Sequence, residues 1–135
     1  NAIVDIWQTN PFGQYRWATR DELLNPEPLF AGSGRAVTDN LGRYQFTTLF
    51  PGAYGKYAPH INMRISHPDF KNINTVMYFR GDRRNGTDPR FRALRGSTQE
   101  MLLGDVSLKT PGNPALGLKT VFNITLKGDS TFRRY

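Results

Sequence analysis

The chain has 135 residues, 38% hydrophobic and 21% charged, which is the composition of one globular domain with a single core rather than of a disordered polymer. It has no cysteine, which excludes disulfides, thiolate metal sites and cysteine nucleophiles. A net charge of +7 invites an anionic partner, yet no RNP, zinc-finger or helix-turn-helix pattern accompanies it, so nucleic acid is not expected.

Thirteen glycines and nine prolines, without long helical periodicity, predict a turn-rich β protein. Ala2–Gln8 reads as a strand apolar on both faces, through Ile3, Val4, Ile6 and Trp7. Asn10-Pro11-Phe12-Gly13 is a turn, and Gln14-Tyr15-Arg16-Trp17 is extended after it. Residues 18–34 form a long connection with room for one helical turn at Arg20–Leu24. Arg35–Asp39 and Arg43–Leu49 flank Asn40-Leu41-Gly42, which predicts a β-hairpin. Within the second arm Tyr44, Phe46 and Thr48 share a face.

The stretch Pro51-Gly52-Ala53-Tyr54-Gly55-Lys56-Tyr57-Ala58-Pro59-His60-Ile61-Asn62-Met63 follows. His60–Ser66 is predicted as a strand with His60 and Asn62 on one face and Ile61 and Met63 on the other. After the turn His67-Pro68-Asp69-Phe70, in which His67 is read as a turn residue, Ile73–Phe79 forms another strand. Asn74, Val76 and Tyr78 share one of its faces. Residues 80–96 carry six arginines and read as a solvated loop, with a docking surface for an acidic protein or polymer as the alternative. Met101–Leu108 and Leu118–Leu126 are the last strands, separated by the loop Thr110–Gly117. Asn85-Gly86-Thr87 and Asn123-Ile124-Thr125 match the glycosylation triplet, and Phe132–Tyr135 reads as a docking tail or a frayed end.

The reading is therefore an all-β chain, a β-sandwich forming one domain over residues 1–135. No apolar run approaches the roughly 20 residues of a membrane-spanning helix. The sequence opens on Asn1 and an apolar strand with no signal peptide legible. We read it as a processed or partial product, and the compartment stays open between cytoplasm and export.

Few residues offer chemistry. With two histidines, no metal-spaced His pair, no phosphate loop and no nucleophile elbow, what remains is Tyr15, Tyr54, His60 and the adjacent Asn62. Phenolates are hard anionic donors suited to Fe(III), although a buried Tyr or a lone His is more often structural.

The order of motifs sharpens this picture. Val4-Asp5-Ile6-Trp7-Gln8-Thr9-Asn10, Gly13-Gln14-Tyr15, Gly34-Arg35-Ala36-Val37-Thr38-Asp39, Gly42-Arg43-Tyr44-Gln45-Phe46, Pro51-Gly52-Ala53-Tyr54 and Pro59-His60-Ile61-Asn62 are followed by Met77-Tyr78-Phe79-Arg80-Gly81-Asp82 and Asp88-Pro89. In that order they resemble the intradiol ring-cleavage dioxygenases over most of residues 2–89. The resemblance implies a β-sandwich whose usual opening strand and hairpin lie before residue 1. It also implies a non-haem Fe(III) held by two tyrosines and two histidines, and cleavage of catechol-type rings with O2. Tyr15 and Tyr54 match the tyrosine ligands and His60 the first histidine. By the same resemblance, Tyr54 is the catalytic proton acceptor if the chain is active.

Three positions depart from that pattern. Asn62 stands in place of the second histidine, Tyr57 in place of an arginine near the substrate, and Val76 in place of a glutamine behind the metal. Lys56, adjacent to Tyr57 in an extended segment, is expected to face away from it. Ala58-Pro59-His60-Ile61-Asn62 is similar to the corresponding segment of the family's non-catalytic subunit, that of protocatechuate 3,4-dioxygenase. The resemblance thus favours a structural or binding subunit completed by a protein partner or oligomer. An Fe(III) dioxygenase with a catechol-type ligand is the alternative.

Overall fold

The computed structural model describes residues 1–16, 32–108 and 118–121. Seven strands occur in it: β1 (Ile3–Gln8), β2 (Ser33–Val37), β3 (Phe46–Thr48), β4 (His60–His67), β5 (Phe70–Phe79), β6 (Leu103–Leu108) and β7 (Leu118–Val121). Two short helices, α1 (Pro89–Arg92) and α2 (Gly96–Met101), and a 3-10 turn at Arg83–Thr87 lie between β5 and β6. The hydrogen-bonded order is β2-β1-β4-β5-β6-β7-β3. Every pair is antiparallel except β5 with β6, whose parallel pairing needs the helical excursion as its crossover. The chain is sheet-rich with minor helix, as its turn composition predicts.

The faces follow from alternation. Val4 and Ile6 of β1, Ile61, Met63 and Ile65 of β4, and Met77 and Phe79 of β5 point to one side and are buried, with Tyr44, Phe46, Phe50, Ile73 and Leu102 packed on them. Each such Val, Ile, Met or Phe contributes roughly 1.5–3 kcal/mol when fully buried. On the opposite side a smaller cluster gathers Ala58, Tyr78 and Phe91, flanked by Val76, Leu102 and Leu103. That second side carries the site residues. His60 lies opposite Tyr78, Asn62 opposite Val76, and Trp7 opposite Asn62.

The expected hairpin between Arg35–Asp39 and Arg43–Leu49 does not form. Its tight turn exists, with Asp39 N donating to Arg43 O at 3.0 Å and the Asp39 carboxylate accepting from Leu41 N and Arg43 N. Yet β2 pairs with β1 and β3 with β7, at opposite ends of the strand order. Phe46 lies against Gly34, 3.5 Å from where a Cβ would stand and so in ordinary van der Waals contact, while each strand takes its backbone partner elsewhere in the sheet. The two segments therefore meet through side chains rather than edge to edge. Alternation reveals which residues share a face, not which strand lies alongside.

Other bounds shift by capping and turn chemistry. The solvated arginine loop contains structure because Asp82 caps the 3-10 turn and Asp88 caps α1 at Pro89. Arg80 is engaged with Glu100 and Asp105, and Arg84 with Asp82. The strand expected from Met101 starts at Leu103 because Leu102 N still closes α2 onto Thr98 O and Gln99 O. Asn85 of the first glycosylation triplet is buried and donates its amide to Phe79 O at 2.9 Å, so it is occupied internally. His67 is the turn residue expected, its Nδ1 accepting from Asp69 N. Gln14 and Tyr15 belong to no strand. The helical turn at Arg20–Leu24, Trp17, the second glycosylation triplet, residues 122–126 and the tail Phe132–Tyr135 lie outside the described residues. Among the described residues no helix is long and apolar enough to cross a membrane.

One backbone contact docks the first turn against the focal stretch. Gly52 N donates to Asn10 O at 2.9 Å, and Thr9 Oγ1 donates to Gly52 O at 2.9 Å. A Cβ on Gly52 would collide with Gly13 N and with Pro11 O, which are backbone atoms that cannot swing away. Gly52→Ala is expected to destabilise the fold by about 2–4 kcal/mol, the range of overpacking and backbone strain. Urea unfolding checks this; a midpoint within error of the parent would show that the two turns separate at little cost.

Candidate functional site

Tyr15 is delivered by a turn that its own side chains hold. Asn10 Oδ1 accepts from Phe12 N and Gln14 N at 2.9 and 3.0 Å, Asn10 Nδ2 donates to Gln14 Oε1, and Gly13 takes the left-handed conformation with φ 78°. The phenol is thereby aimed across β1 at β4. Its hydroxyl lies 2.9 Å from His60 Nε2, and Asn62 Nδ2 donates to it at 2.9 Å.

The proton positions follow from the partners. His60 Nδ1 sits 2.6 Å from Ala58 O, a pure acceptor, so Nδ1 carries the hydrogen and Nε2 the lone pair. Tyr15 O–H then donates to Nε2. Asn62 Nδ2 also donates to Trp7 O at 3.2 Å, which fixes the amide with its nitrogen toward Tyr15. The result is one directed chain, Asn62 to Tyr15 to His60 to Ala58. Burial holds the Tyr15 pKa above its ordinary value, against the lowering effect of the Asn62 bond, so the phenol stays protonated. Burial also pushes His60 below 6.5, with the Ala58 bond opposing and the Arg90 charge assisting.

Tyr54 approaches from the other side. It pairs with Tyr57 through two backbone hydrogen bonds of 3.0 Å across a turn whose first residue, Gly55, has φ 59°. Its ring meets the Tyr15 ring edge-on, with centroids 4.9 Å apart. Tyr54 is 42% exposed, and its hydroxyl bonds to no described residue. The segment 54–57 is thus a tight turn rather than extended chain, which corrects the expectation for Lys56: its Nζ lies over the Tyr57 ring, 5.6 Å from the centroid. Val76 stands beside Asn62 in the sheet and packs on the Ala58, Tyr78 and Phe91 cluster, where it offers no polar group.

Two residues not foreseen complete the site. Asp88 is fully buried, and its carboxylate accepts from Ala58 N at 2.8 Å, Arg90 N at 2.8 Å and Phe91 N at 3.2 Å. Arg90 reaches back over Tyr57, its guanidinium carbon 4.0 Å from the ring centroid. Asp-Pro is a legible helix start, but nothing in the sequence signals that the cap also ties down Ala58.

Among the described residues no cluster of three or more His, Asp or Glu is placed to hold a metal, so ferric iron would depend on Tyr15, Tyr54 and His60. Tyr15 O and His60 Nε2 are close enough to share a cation. The fourth position does not fit, because Asn62 presents N–H hydrogens rather than a lone pair, both committed to oxygens. The donor set is thus short of the four-ligand ferric site that the resemblance implies.

The comparisons agree on kinship. The profile of a family described as Dioxygenase matches residues 1–128. The chain is 35% identical to the protocatechuate 3,4-dioxygenase beta chain of Burkholderia cepacia over 95% of its own length and 57% of that protein. It is 32% identical to a putative dioxygenase of Rickettsia conorii over 56% of its length and 39% of that protein. The chain therefore spans about half the length of these relatives or less. Among solved structures, the dioxygenase domain of a carbohydrate-binding fusion protein from Streptomyces sp. SirexAA-E superposes with a TM-score of 0.62 at 29% identity, covering 82% of this chain and 61% of that one. Catechol 1,2-dioxygenase from Pseudomonas arvilla C-1 superposes with a TM-score of 0.65 over 96% of this chain and 47% of that one; at 22% identity it attests the fold alone.

The His60 network makes stability pH-dependent. A histidine whose folded pKa lies below its unfolded value contributes stability that is complete above about pH 6.5 and is lost as pH falls toward the folded pKa, because the unfolded chain binds the extra proton first. The melting temperature is expected to fall between pH 7 and pH 5, and His60→Gln to flatten that slope while lowering the whole curve. An unchanged slope in the variant would remove His60 as its source. Tyr15→Phe leaves Nε2 and one Asn62 hydrogen without partners and is expected to cost about 1–3 kcal/mol in denaturant unfolding.

Proposed function

This chain belongs to the intradiol dioxygenase family, and from that premise we propose that it is a non-catalytic member, a structural or binding subunit of a larger assembly. The observation that carries the reading is the direction of the Asn62 amide. With Asn62 donating to Tyr15, and Tyr15 to His60, the Asn62 Nδ2, the Tyr15 hydroxyl and both His60 nitrogens have partners without a metal. Tyr57 and Val76 remove a cation and a polar group from the same pocket, so the three departures act together. The relative named as a beta chain supports membership of a multi-chain assembly. Phe46 packed against Gly34, and Phe50 tilted against Phe79 with ring centroids 4.5 Å apart, support a sheet folded over itself into a single sandwich domain across residues 1–135.

The second reading, an Fe(III) intradiol dioxygenase acting on a catechol-type ring, is favoured by the 2.9 Å approach of the Tyr15 oxygen to His60 Nε2 and by the retention of Tyr54. In that case Tyr15, Tyr54 and His60 would hold the iron and Tyr54 would accept the substrate proton.

Reconstitution with ferric iron separates the two. The parent chain is expected to stay colourless after desalting and to consume no O2 with catechol or protocatechuate. Asn62→His, which replaces the amide donor by an imidazole, is expected to gain the broad visible band of phenolate-to-iron charge transfer. A coloured parent chain with ring cleavage, lost in Tyr54→Phe or His60→Ala, would overturn the non-catalytic reading.

A further inference from the structure

Asn85-Gly86 is the one Asn-Gly pair in the sequence, and it falls inside the 3-10 turn Arg83–Thr87. Asn85 is 6% exposed, and its amide is only half satisfied. Nδ2 donates to Phe79 O at 2.9 Å, while Oδ1 is buried with no partner among the described residues. Gly86 meets no demand of the fold. Its φ is not positive, and a Cβ there would find nothing within 4 Å. A glycine that neither packing nor backbone conformation requires leaves the preceding side chain open to reaction with the main chain.

The reaction needs only base and water. Gly86 N loses its proton to base and attacks Asn85 Cγ, closing a five-membered imide. The Cγ–Nδ2 bond breaks, and Nδ2 takes up a proton and leaves as ammonia. Water then opens the imide at one of its two carbonyls. Cleavage of the bond to Cγ gives aspartate on the normal backbone. Cleavage of the bond to the Asn85 main-chain carbonyl carbon gives isoaspartate, with the chain routed through Cβ. A side chain on residue 86 crowds the attack, and glycine has none.

The native turn holds these atoms off that path. Ring closure brings the Cβ–Cα–C–N torsion of residue 85 near zero, which sets its ψ far from the 3-10 range of roughly −20 to −30°. Expelling Nδ2 gives up its bond to Phe79 O. The backbone is pinned on both sides, Asn85 N donating to Asp82 O at 3.1 Å and Asn85 O accepting from Asp88 N at 3.2 Å. The product cannot resume those contacts. An aspartate would set a carboxylate oxygen against Phe79 O, itself an acceptor, and leave the other where no donor reaches it. Isoaspartate would lengthen the main chain inside the turn, three residues before the Asp88 that caps α1 and holds Ala58 N.

We propose that Asn85 is a latent self-modification site, an amide that converts to aspartate or isoaspartate when the Arg83–Thr87 turn opens and whose conversion keeps that turn from closing again. Opening is reversible until the imide forms and one-way afterwards. Asp88 then loses the ordered turn that leads into it.

The whole chain is incubated in mildly alkaline buffer, native and unfolded in guanidinium. The peptide spanning residue 85 is followed by mass spectrometry, with chromatographic separation of its aspartyl and isoaspartyl forms. Asn40, exposed and followed by Leu41, serves as internal control. Conversion at Asn85 is expected to run at least about tenfold faster unfolded than native, while Asn40 stays largely intact in both. Gly86→Ala, which the open space at that position accommodates, is expected to keep the parent's circular dichroism and melting temperature and to slow conversion severalfold in the unfolded chain. Asn85→Asp, the product made directly, is expected to melt below the parent. A native rate equal to the unfolded one, no conversion at residue 85 in the unfolded chain, a parental rate in unfolded Gly86→Ala, or an Asn85→Asp variant that melts with the parent would each overturn the proposal. Should Asn85→Asp fail to fold, the conversion rates of the parent and of Gly86→Ala carry the decision. No step involves iron or a ligand, so these outcomes are separate from those that test the non-catalytic reading.

Discussion

One fully buried carboxylate sets the geometry on which both halves of the site depend. Among the described residues Asp88 has no hydrogen-bonded cation; it is stabilised by the N–H groups of Ala58, Arg90 and Phe91. Hydrogen bonds to an ionised acceptor are about twice as strong as neutral ones, and their loss in the interior leaves an unmatched charge. Through Ala58 N the carboxylate fixes the peptide whose carbonyl holds His60 Nδ1. Through Arg90 N and Phe91 N it starts α1, which seats Phe91 on Tyr78 and sends Arg90 over Tyr57. The imidazole and the guanidinium thus share one anchor, although 30 residues separate their segments in sequence.

From this anchor the inner site behaves as a closed polar circuit. In an interior of low dielectric each donor must meet an acceptor, and Asn62, Tyr15, His60 and Ala58 meet this requirement in a single direction. A histidine at position 62 would bring a lone pair, and metal binding would then require the Tyr15 proton to leave. Asparagine supplies hydrogen instead, which favours the neutral phenol that burial already favours. The single exchange therefore alters the preferred protonation of its neighbour, and not merely a ligand count.

Sequence reasoning recovered what depends on alternation. The two faces of β4 and β5, the turn at His67 and the convergence of Tyr15, His60 and Asn62 all follow from strand periodicity and motif order. It missed what depends on partners distant in the chain. The hairpin around Asn40-Leu41-Gly42 was misread because turn chemistry looks the same whether the flanking strands pair with each other or with others. Lys56 was misplaced because a two-residue turn beginning at Gly55 reverses what an extended segment would do. Arg90 was invisible, since one arginine among six in a polar stretch carries no local mark of the ring on which it rests.

The residues that match the family's ligand positions do not all answer to the same demand. Tyr15 and His60 are buried, and each satisfies the other, so replacing either would leave a buried polar atom without a partner whatever the protein does. Their presence is explained by folding and says little about iron. Tyr54 is different: nearly half exposed, it contributes one edge contact to the Tyr15 ring and a hydroxyl that bonds to no described residue. Folding needs a residue able to form the backbone pair with Tyr57, but it does not need that phenol oxygen. The same holds for the guanidinium of Arg90, whose backbone, not its charge, is what Asp88 holds. The Tyr54 phenol oxygen and the Arg90 guanidinium are therefore the groups here that the described hydrogen bonds leave unexplained.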